Sequence, residues 1–205
     1  MKIPRSALKA VAVAMPRNDF RNYLNGMLIE CSGSTVRLVA SDAHRMHIMD
    51  IEQDEPCPVL PENVIMPCEM VEWALKHSRR HEVVEISIVK DEPNDGGEHQ
   101  FKIEIRTQRG SMDSVLIAER YYPDYLSVIQ RRTTGKMAQF NPRLVAQSFE
   151  AILELSGTAE SLFSIDLQHN GVGAALMCYG RFAALIMPWY PEKFHIDPRL
   201  AERLT

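Results

Sequence analysis

The chain has 205 residues, of which 45% are apolar and 24% charged, a composition typical of a globular protein with one large or two small domains. Lys and Arg total 23 against 27 Asp and Glu, giving a formal net charge of -4, so any contact with nucleic acid must come from a local basic cluster. No apolar run approaches the roughly 18 residues of a membrane span, the N-terminus has no signal-type apolar region, and the four cysteines are scattered. We therefore expect a soluble, cytoplasmic protein with reduced thiols.

A proline opens each of three segments that are predicted to be helical. The three are Pro4, Pro67 and Pro142, and proline suits a first helical turn because the N–H that it lacks would have no partner there. Apolar residues follow at helical spacing and give each segment one apolar side. The predicted helices have the sequences RSALKAVAVAM, CEMVEWALKHSRR and RLVAQSFEAILEL.

Three stretches of strand-forming residues follow each predicted helix, separated by turn residues. They are YLNGMLIEC, TVRLVAS and RMHIMDI after the first helix, VVEISIVK, FKIEIRT and SMDSVLIAE after the second, and LFSIDLQ, VGAALMC and FAALIMPWY after the third. A short strand is also predicted before the second and third helices, in NVIMP and KMAQFNP. The sequence therefore predicts an α+β fold of three β-α-β-β-β units.

The third unit has no counterpart within the chain. The first two prolines are 63 residues apart and the last two are 75 apart, the surplus lying in the loop DEPNDGGEH and in ERYYPDYLSVIQRRTTG, which is the predicted domain boundary. The first two units would form one domain and leave the third as half a domain. Its strands would have open edges, which favours oligomerisation.

Several motifs in order resemble the bacterial β sliding clamp, the processivity subunit of the replicative DNA polymerase. FRNYLNGML at 20–28 and VASDAHR at 39–45 resemble the middle domain of that family, and YPDY at 122–125 resembles its connector to the last domain. FNPRL at 140–144 and LIMP at 185–188 are similar to parts of the last domain. Ordered motifs at compatible spacing are more specific than any one of them.

The resemblance implies the DNA clamp fold, in which each domain has two β-α-β-β-β halves, with helices lining a hole for DNA and sheets forming the rim. Residues 1–130 would be a full clamp domain similar to the middle one, residues 131–190 the second half of the last domain, and residues 191–205 a C-terminal tail. The family joins the first domain of one chain to the last domain of another, so a ring of this chain would need a different assembly. A homo-oligomer, dimer or tetramer, is expected.

The resemblance also implies a groove for partner peptides between the middle and last domains. Carried over motif by motif, its walls would be Leu24, Ser41, Ala43, His44, Arg45, Met46, Leu185, Met187, Pro188 and Trp189. Met and Leu make an adaptable apolar floor, while His and Arg supply the few donors that orient a peptide. Ala43 replaces a usual glycine of the family, and Gln130 a usual proline. The alternative is that the apolar members are simply the core of two adjacent sheets.

A DNA-facing surface is the second implied site. Basic residues on the first two predicted helices and a loop before FRNYLNG would form it, namely Arg5, Lys9, Arg17, Asn18, Lys76, Arg79 and Arg80. Such a lining would bind phosphates without reading bases and would weaken with salt. The third helix does not extend it, because Glu150 and Glu154 lie there. The alternative is an ordinary solvated helix face.

The sequence lacks the signatures of catalysis. It has no GxSxG, GxGxxG or phosphate-loop motif, and His77 and His81, although spaced like helical metal ligands, have no evident third ligand. We therefore expect no enzymatic activity, no metal and no cofactor.

The predicted function is a sliding-clamp-like processivity factor that oligomerises around duplex DNA and tethers a DNA polymerase or repair protein through its groove. The alternative is a clamp-like module or decoy that binds the same client peptides without encircling DNA.

Overall fold

The computed structural model describes residues 1–60, 64–93, 99–115, 122–129, 139–157, 165, 167–169 and 173–189. Within them lie the helices α1 (Arg5–Ala12), α2 (Cys68–His77) and α3 (Pro142–Ser156). The strands are β1 (Lys2–Pro4), β2 (Gly26–Ser32), β3 (Thr35–Ser41), β4 (Arg45–Glu52), β5 (Val64–Pro67), β6 (Val83–Pro93), β7 (His99–Thr107), β8 (Gly110–Val115), β9 (Leu167–Gln168), β10 (Ala175–Tyr179) and β11 (Phe182–Ile186). The predicted α+β class is confirmed.

The strands form two antiparallel sheets, and the first two units exchange strands. One sheet has the order β1-β6-β7-β8 and the other has the order β5-β2-β3-β4-β11-β10-β9. β1 of the first unit therefore pairs with β6 of the second, and β5 of the second unit pairs with β2 of the first. The seven-stranded sheet continues into the third unit, where Met46 on β4 lies opposite Leu185 on β11.

The three helices lie side by side, with α1 packed against α2 and against α3. Side chains alternate along each strand, so one face of the sheets supplies residues such as Met27 and Ile105 to a core shared with Leu8 of α1 and Met70 of α2. Under α3, Ile152 packs in a smaller core with residues of β10 and β11. Burial of one such side chain stabilises the fold by about 1.5–3 kcal/mol. The apolar side of each helix therefore faces inward.

The opposite face of the seven-stranded sheet is covered by the connector, a name used here for Tyr122–Ile129. Tyr122 and Tyr125 are buried in it and pack on outward-facing strand residues. Those strand residues are Leu28, Val39, Met46, Ile48 and Leu185. The sheet therefore has an apolar core on both faces.

Several predicted boundaries differ from the structure. The strand expected from Tyr23 begins at Gly26, because Asn22–Leu24 forms a 3-10 turn. α2 ends at His77, where Ser78 turns to extended backbone and its hydroxyl donates to the Ala74 carbonyl at 2.5 Å. Residues 139–141 before α3 are not a strand; the rest of KMAQFNP, Gln130 and the tail 191–205 lie outside the described residues. The domain limits and the threefold repeat stay predictions.

Candidate peptide groove and DNA-facing surface

An apolar groove of about 210 Å³ lies on the outer face of the seven-stranded sheet, between the connector and the ends of β3, β4 and β11. Most of its wall is apolar or aromatic. Its lining residues are Arg21, Tyr23, Leu24, Ser41, Ala43, Arg45, Met46, Tyr122, Pro123, Asp124, Tyr125, Val128, Ala174, Leu185 and Met187. The space is sufficient for a few side chains of an extended peptide and resembles the concave, mostly apolar sites that bind ligands.

Seven of the ten residues predicted for the groove line it, namely Leu24, Ser41, Ala43, Arg45, Met46, Leu185 and Met187. Strand pairing brings the two halves of this set together, since residues of β4 and β11 lie directly opposite one another. His44, Pro188 and Trp189 are not among the lining residues. His44 is exposed, and Trp189 is 58% exposed, with its backbone N–H donating to the Gln139 carbonyl at 2.7 Å.

The connector forms one wall of the groove, and its residues were not among those predicted from the sequence to line the groove. Tyr122, Pro123, Asp124, Tyr125 and Val128 all line the groove. The YPDY motif marked this segment as a link between domains, but two tyrosines in one short link are also a signal of burial, because large aromatic side chains contribute much apolar area to cores and interfaces.

Hydrogen bonds fix the connector against the sheet. The Tyr125 hydroxyl donates to the Glu30 carboxylate, and Arg37 Nη1 donates to the same hydroxyl at 3.4 Å. Arg37 is itself held by Asp50 through two contacts of 2.6 and 2.8 Å. Burial, reinforced by the bond to Glu30, raises the pKa of Tyr125 to about 12, so the phenol keeps its proton and remains a donor at neutral pH.

The turn from Ser41 to Arg45 closes one end of the groove and is held by its own side chains. Asp42 Oδ1 accepts the N–H groups of His44 and Arg45 at 3.0 and 2.9 Å. The Ser41 hydroxyl donates to the Arg45 carbonyl at 2.9 Å. Ala43 has φ = 69°, in the left-handed region that suits glycine better than alanine, and it stands where glycine was expected from the resemblance.

Arg45 lines the groove and also has hydrogen-bond partners inside the protein. Only 9% exposed, it donates through Nε to Asp42 at 3.1 Å and through Nη1 to Gln147 on α3 at 2.6 Å. Burial lowers the pKa of its guanidinium. Because these donors already have internal partners, the main effect of Arg45 is to tie the turn beside the groove to α3.

His47, on the helix-facing side of β4, also links the first and third units. Its ring is fully buried, with Nδ1 2.7 Å from the Ala10 carbonyl and Nε2 3.0 Å from the Ser148 hydroxyl. The tautomer that satisfies both contacts donates from Nδ1 to the carbonyl and accepts at Nε2 from the hydroxyl. Burial lowers the pKa of His47 to about 4, so the ring is neutral at pH 7.

The predicted DNA-facing residues fall into two groups. Those near α1 are already paired with carboxylates: Lys9 Nζ lies 2.6 Å and Arg5 Nη1 3.6 Å from Glu154 on α3, and Arg17 lies 2.9 Å from Glu72 on α2. Asn18 is exposed. These pairs neutralise the charge that a phosphate would meet.

The second group is exposed at and after the end of α2. Lys76, Arg79 and Arg80 lie there, and no ion pair joins them to another of the described residues. The three helices themselves carry four basic and four acidic side chains, so the helix layer as a whole is electrically balanced. The excess of positive charge is local to the end of α2.

The family model for the central domain of the DNA polymerase III beta subunit matches residues 2–124 of this chain. The chain belongs to the DNA polymerase III beta subunit family. Beta sliding clamps of Haemophilus influenzae and Vibrio cholerae are each 27% identical to it, over 166 and 173 residues, which is 81% and 82% of this chain. Each match covers 42% of the relative, so the chain spans about two fifths of the length of the curated relatives that it matches.

Solved structures of this family share the fold. The DNA polymerase III subunits beta of Borrelia burgdorferi and Pseudomonas aeruginosa each have a TM-score of 0.68, at 16% and 19% identity, and cover 93% of this chain. The match extends over 62% and 66% of those chains. The expected DNA clamp fold is thereby confirmed. Members of the beta sliding clamp family are processivity factors and not enzymes, which confirms that expectation as well.

Two further observations concern other classes of protein. Among the described helices, none is long and apolar enough to cross a membrane. Within the same described residues, His, Cys, Asp and Glu side chains do not form a group of three that could hold a metal ion.

Proposed function

We propose that the chain acts as a sliding-clamp-like processivity factor in the cytoplasm, in which an oligomer encircles duplex DNA and the groove holds a short segment of a polymerase or repair protein. The full clamp domain would be residues 1–130 and the half domain residues 131–190. The observation that carries the proposal is the apolar groove, which is built from both the first unit and the third unit. Tethering requires only binding, and the groove offers an apolar floor with few polar groups.

The groove suits an extended peptide with apolar anchors. Met46 lies in its floor, and Met187 and Val128, 40% and 36% exposed, lie among its lining residues. Methionine adapts its shape to different ligands. The connector and the turn on either side are held by hydrogen bonds, so little ordering is needed when a peptide binds, which favours affinity.

A matched pair of variants tests this groove. Met187→Ala removes a lining side chain, whereas Trp189→Ala removes a larger exposed side chain two residues away that does not line the groove. A fluorescein-labelled clamp-binding peptide is titrated by fluorescence polarisation, with griselimycin, the ligand in one solved Pseudomonas aeruginosa clamp structure, as a competitor. We expect Met187→Ala to weaken peptide binding about 5–10-fold, from the loss of roughly 1 kcal/mol of apolar contact, and Trp189→Ala to change it less than twofold. Equal affinities for wild type and Met187→Ala, with unaltered circular dichroism, would refute the groove.

DNA binding would depend on the cluster after α2. Arg79→Glu combined with Arg80→Glu should reduce the slope of log affinity against log salt by about 2, since each phosphate contact contributes roughly 0.9. Arg181→Glu, in the turn between β10 and β11, is a control charge reversal in the third unit. An unchanged slope in the double variant would exclude this cluster as the DNA contact.

The balanced charge of the helix layer favours a second candidate, a clamp-like module that binds client peptides without encircling DNA. Mass by light scattering, with and without nicked circular duplex DNA, separates the two. A closed oligomer that is retained on circles and lost on linear DNA supports the clamp. A monomer that binds the peptide but ignores DNA supports the module.

A further inference from the structure

α3 lies at one end of the row of three helices, on the opposite side of α1 from α2, and the side of α3 that faces the first unit is occupied. On that side Gln147 accepts from Arg45, Ser148 contacts His47, and Glu154 pairs with the basic residues of α1. Ala151 and Ile152 are buried. The inner side therefore accounts for every long-range polar contact that α3 makes with the first unit in the described residues.

The outer side of α3 carries an apolar strip. Val145, Phe149 and Leu153 follow one another at intervals of four residues, so they form one ridge along the helix. Val145, at one end of the ridge, is half-buried and also packs against the core under α3. Phe149 and Leu153 are each 38% exposed. Within the described parts of α1 and α2, the exposed residues are charged: Lys9, Glu69, Glu72 and Lys76. An exposed apolar ridge is thus specific to α3.

The first two units show what covers this side of a helix in the same chain. Counted from the N-caps Pro4, Pro67 and Asn141, Phe149 stands at the position of Ala12 in α1 and Leu75 in α2. Ala12 and Leu75 both pack against the core that the first two units share. Arg5, at the start of α1, donates to the Leu75 carbonyl near the end of α2 at 3.1 Å, whereas Arg17, beyond the end of α1, pairs with Glu72 in the first half of α2 at 2.9 Å. These two helices therefore run antiparallel.

In the described residues, the sheet below α3 also ends in an edge strand that pairs on one side only. β9 is the last strand of the seven-stranded sheet, and Leu167 on it is 38% exposed. The first unit receives β5 from the second and gives β1 in return, whereas in the described residues no other unit adds a strand to β9. As far as the described residues extend, the third unit therefore ends at α3 in the helix layer and at β9 in the sheet, with exposed apolar residues on both.

We infer that this side of the third unit is an interface with a second copy of the chain, in which the two α3 helices pack antiparallel about a two-fold axis, as α1 and α2 do within one chain. Around such an axis the surface pairs with itself: Phe149 of each copy lies near the centre, and Leu153 of one copy faces Val145 of the other. The ridge carries no charge, so its burial leaves no ionised group unpaired. This inference names the contact for the oligomerisation in the proposed function and rests on it only there.

The first experiment measures the dimer constant by sedimentation velocity. Phe149→Glu with Leu153→Glu should weaken self-association at least about a hundredfold, because it buries charge against charge. Glu150→Lys, which changes a charge on the same helix outside the ridge, should change it less than threefold. Circular dichroism and the peptide titration establish that the variants keep their fold. Undiminished association of the double variant overturns the interface while leaving oligomerisation intact.

The second experiment does not depend on destabilising anything. Phe149→Cys is made in a Cys178→Ser background, because Cys178 is the exposed cysteine among those described. A mild thiol oxidant should then produce a covalent dimer on a non-reducing gel, and a cysteine placed at Glu150 should give much less. A wild-type protein that is monomeric at all concentrations would overturn both this interface and the oligomeric part of the proposed function, whereas peptide binding would be judged separately.

Discussion

Protonation of His47 should loosen the attachment of the third unit to the first. The neutral ring joins β4 to the Ala10 carbonyl of α1 and to Ser148 of α3. A protonated ring has no acceptor nitrogen, so the Ser148 hydroxyl could no longer donate to it and would have to turn and accept from Nε2–H instead. The protonated ring would also place a buried charge near Arg45, whose charge lowers the pKa of His47. Asp42 acts in the opposite direction but has a smaller effect.

The contribution of the neutral His47 ring to the free energy of unfolding follows from the shift in its pKa. Burial moves it from 6.5 to about 4 in the folded protein, which corresponds to roughly 3 kcal/mol at about 1.4 kcal/mol per pH unit. Since the folded pKa lies below the unfolded one, the unfolded chain takes up the proton first as the pH falls. The stability is therefore complete above pH 6.5 and is lost progressively down to about pH 4.

Urea unfolding, followed by circular dichroism at a series of pH values, measures how the free energy of unfolding depends on pH. The free energy of unfolding should fall by about 2 kcal/mol between pH 7 and pH 5. In His47→Gln, which keeps a donor and an acceptor but does not titrate, that fall should vanish. Asp19, whose pKa Arg21 lowers to about 2 chiefly through a side-chain hydrogen bond, loses its contribution only at lower pH. The same slope in wild type and His47→Gln would refute the reasoning.

Three other substitutions have calculable outcomes. Gly26→Ala would place a methyl group 2.6 Å from Ile65 Cγ2 and 2.7 Å from the Met66 carbonyl oxygen, so thermal melts should show a loss of about 2–3 kcal/mol; a loss below about 0.5 kcal/mol would mean that β2 and β5 separate easily. Ala43→Gly should stabilise the chain by about 0.5–1 kcal/mol by relieving the left-handed alanine, and any destabilisation contradicts the observed φ. Glu154→Gln should release Lys9 and steepen the salt dependence of DNA binding; an unchanged slope would place α1 away from DNA.

Local sequence patterns were sufficient for most elements. TVRLVAS is the strand Thr35–Ser41, because alternation and flanking turns specify a strand without outside help. The third helix was found to within a residue at each end, since Asn141 accepts from the N–H of Arg143 at 3.0 Å and Gly157 ends the helix with φ = 68°. Where a boundary moved, as at Tyr23, the backbone followed a turn that places Leu24 in the groove.

Only part of the groove could be predicted from the sequence. Leu24, Met46 and Leu185 could be assigned from motifs, but Tyr122 and Tyr125 were missed as lining residues, because the path of a connector over a sheet depends on contacts such as Tyr125 with Glu30, far apart in the chain. Arg45 was expected to face a ligand, and although it lines the groove, it also donates to Gln147. A side chain with several donors takes whichever acceptors the fold brings near it, and residue type alone does not identify them.

The sequence by itself determined the class of fold, the order of its helices and strands and the family, because these depend on periodicity, turn residues and motifs that are local or ordered along the chain. The tertiary structure decided the rest. It alone revealed that Glu154 neutralises Lys9, that His47 joins two units, and that Phe149 lies uncovered on α3. The first two facts are contacts between residues far apart in sequence, and the third is the exposure of a side chain that no such contact covers. Both kinds of fact depend on how packing brings distant segments together.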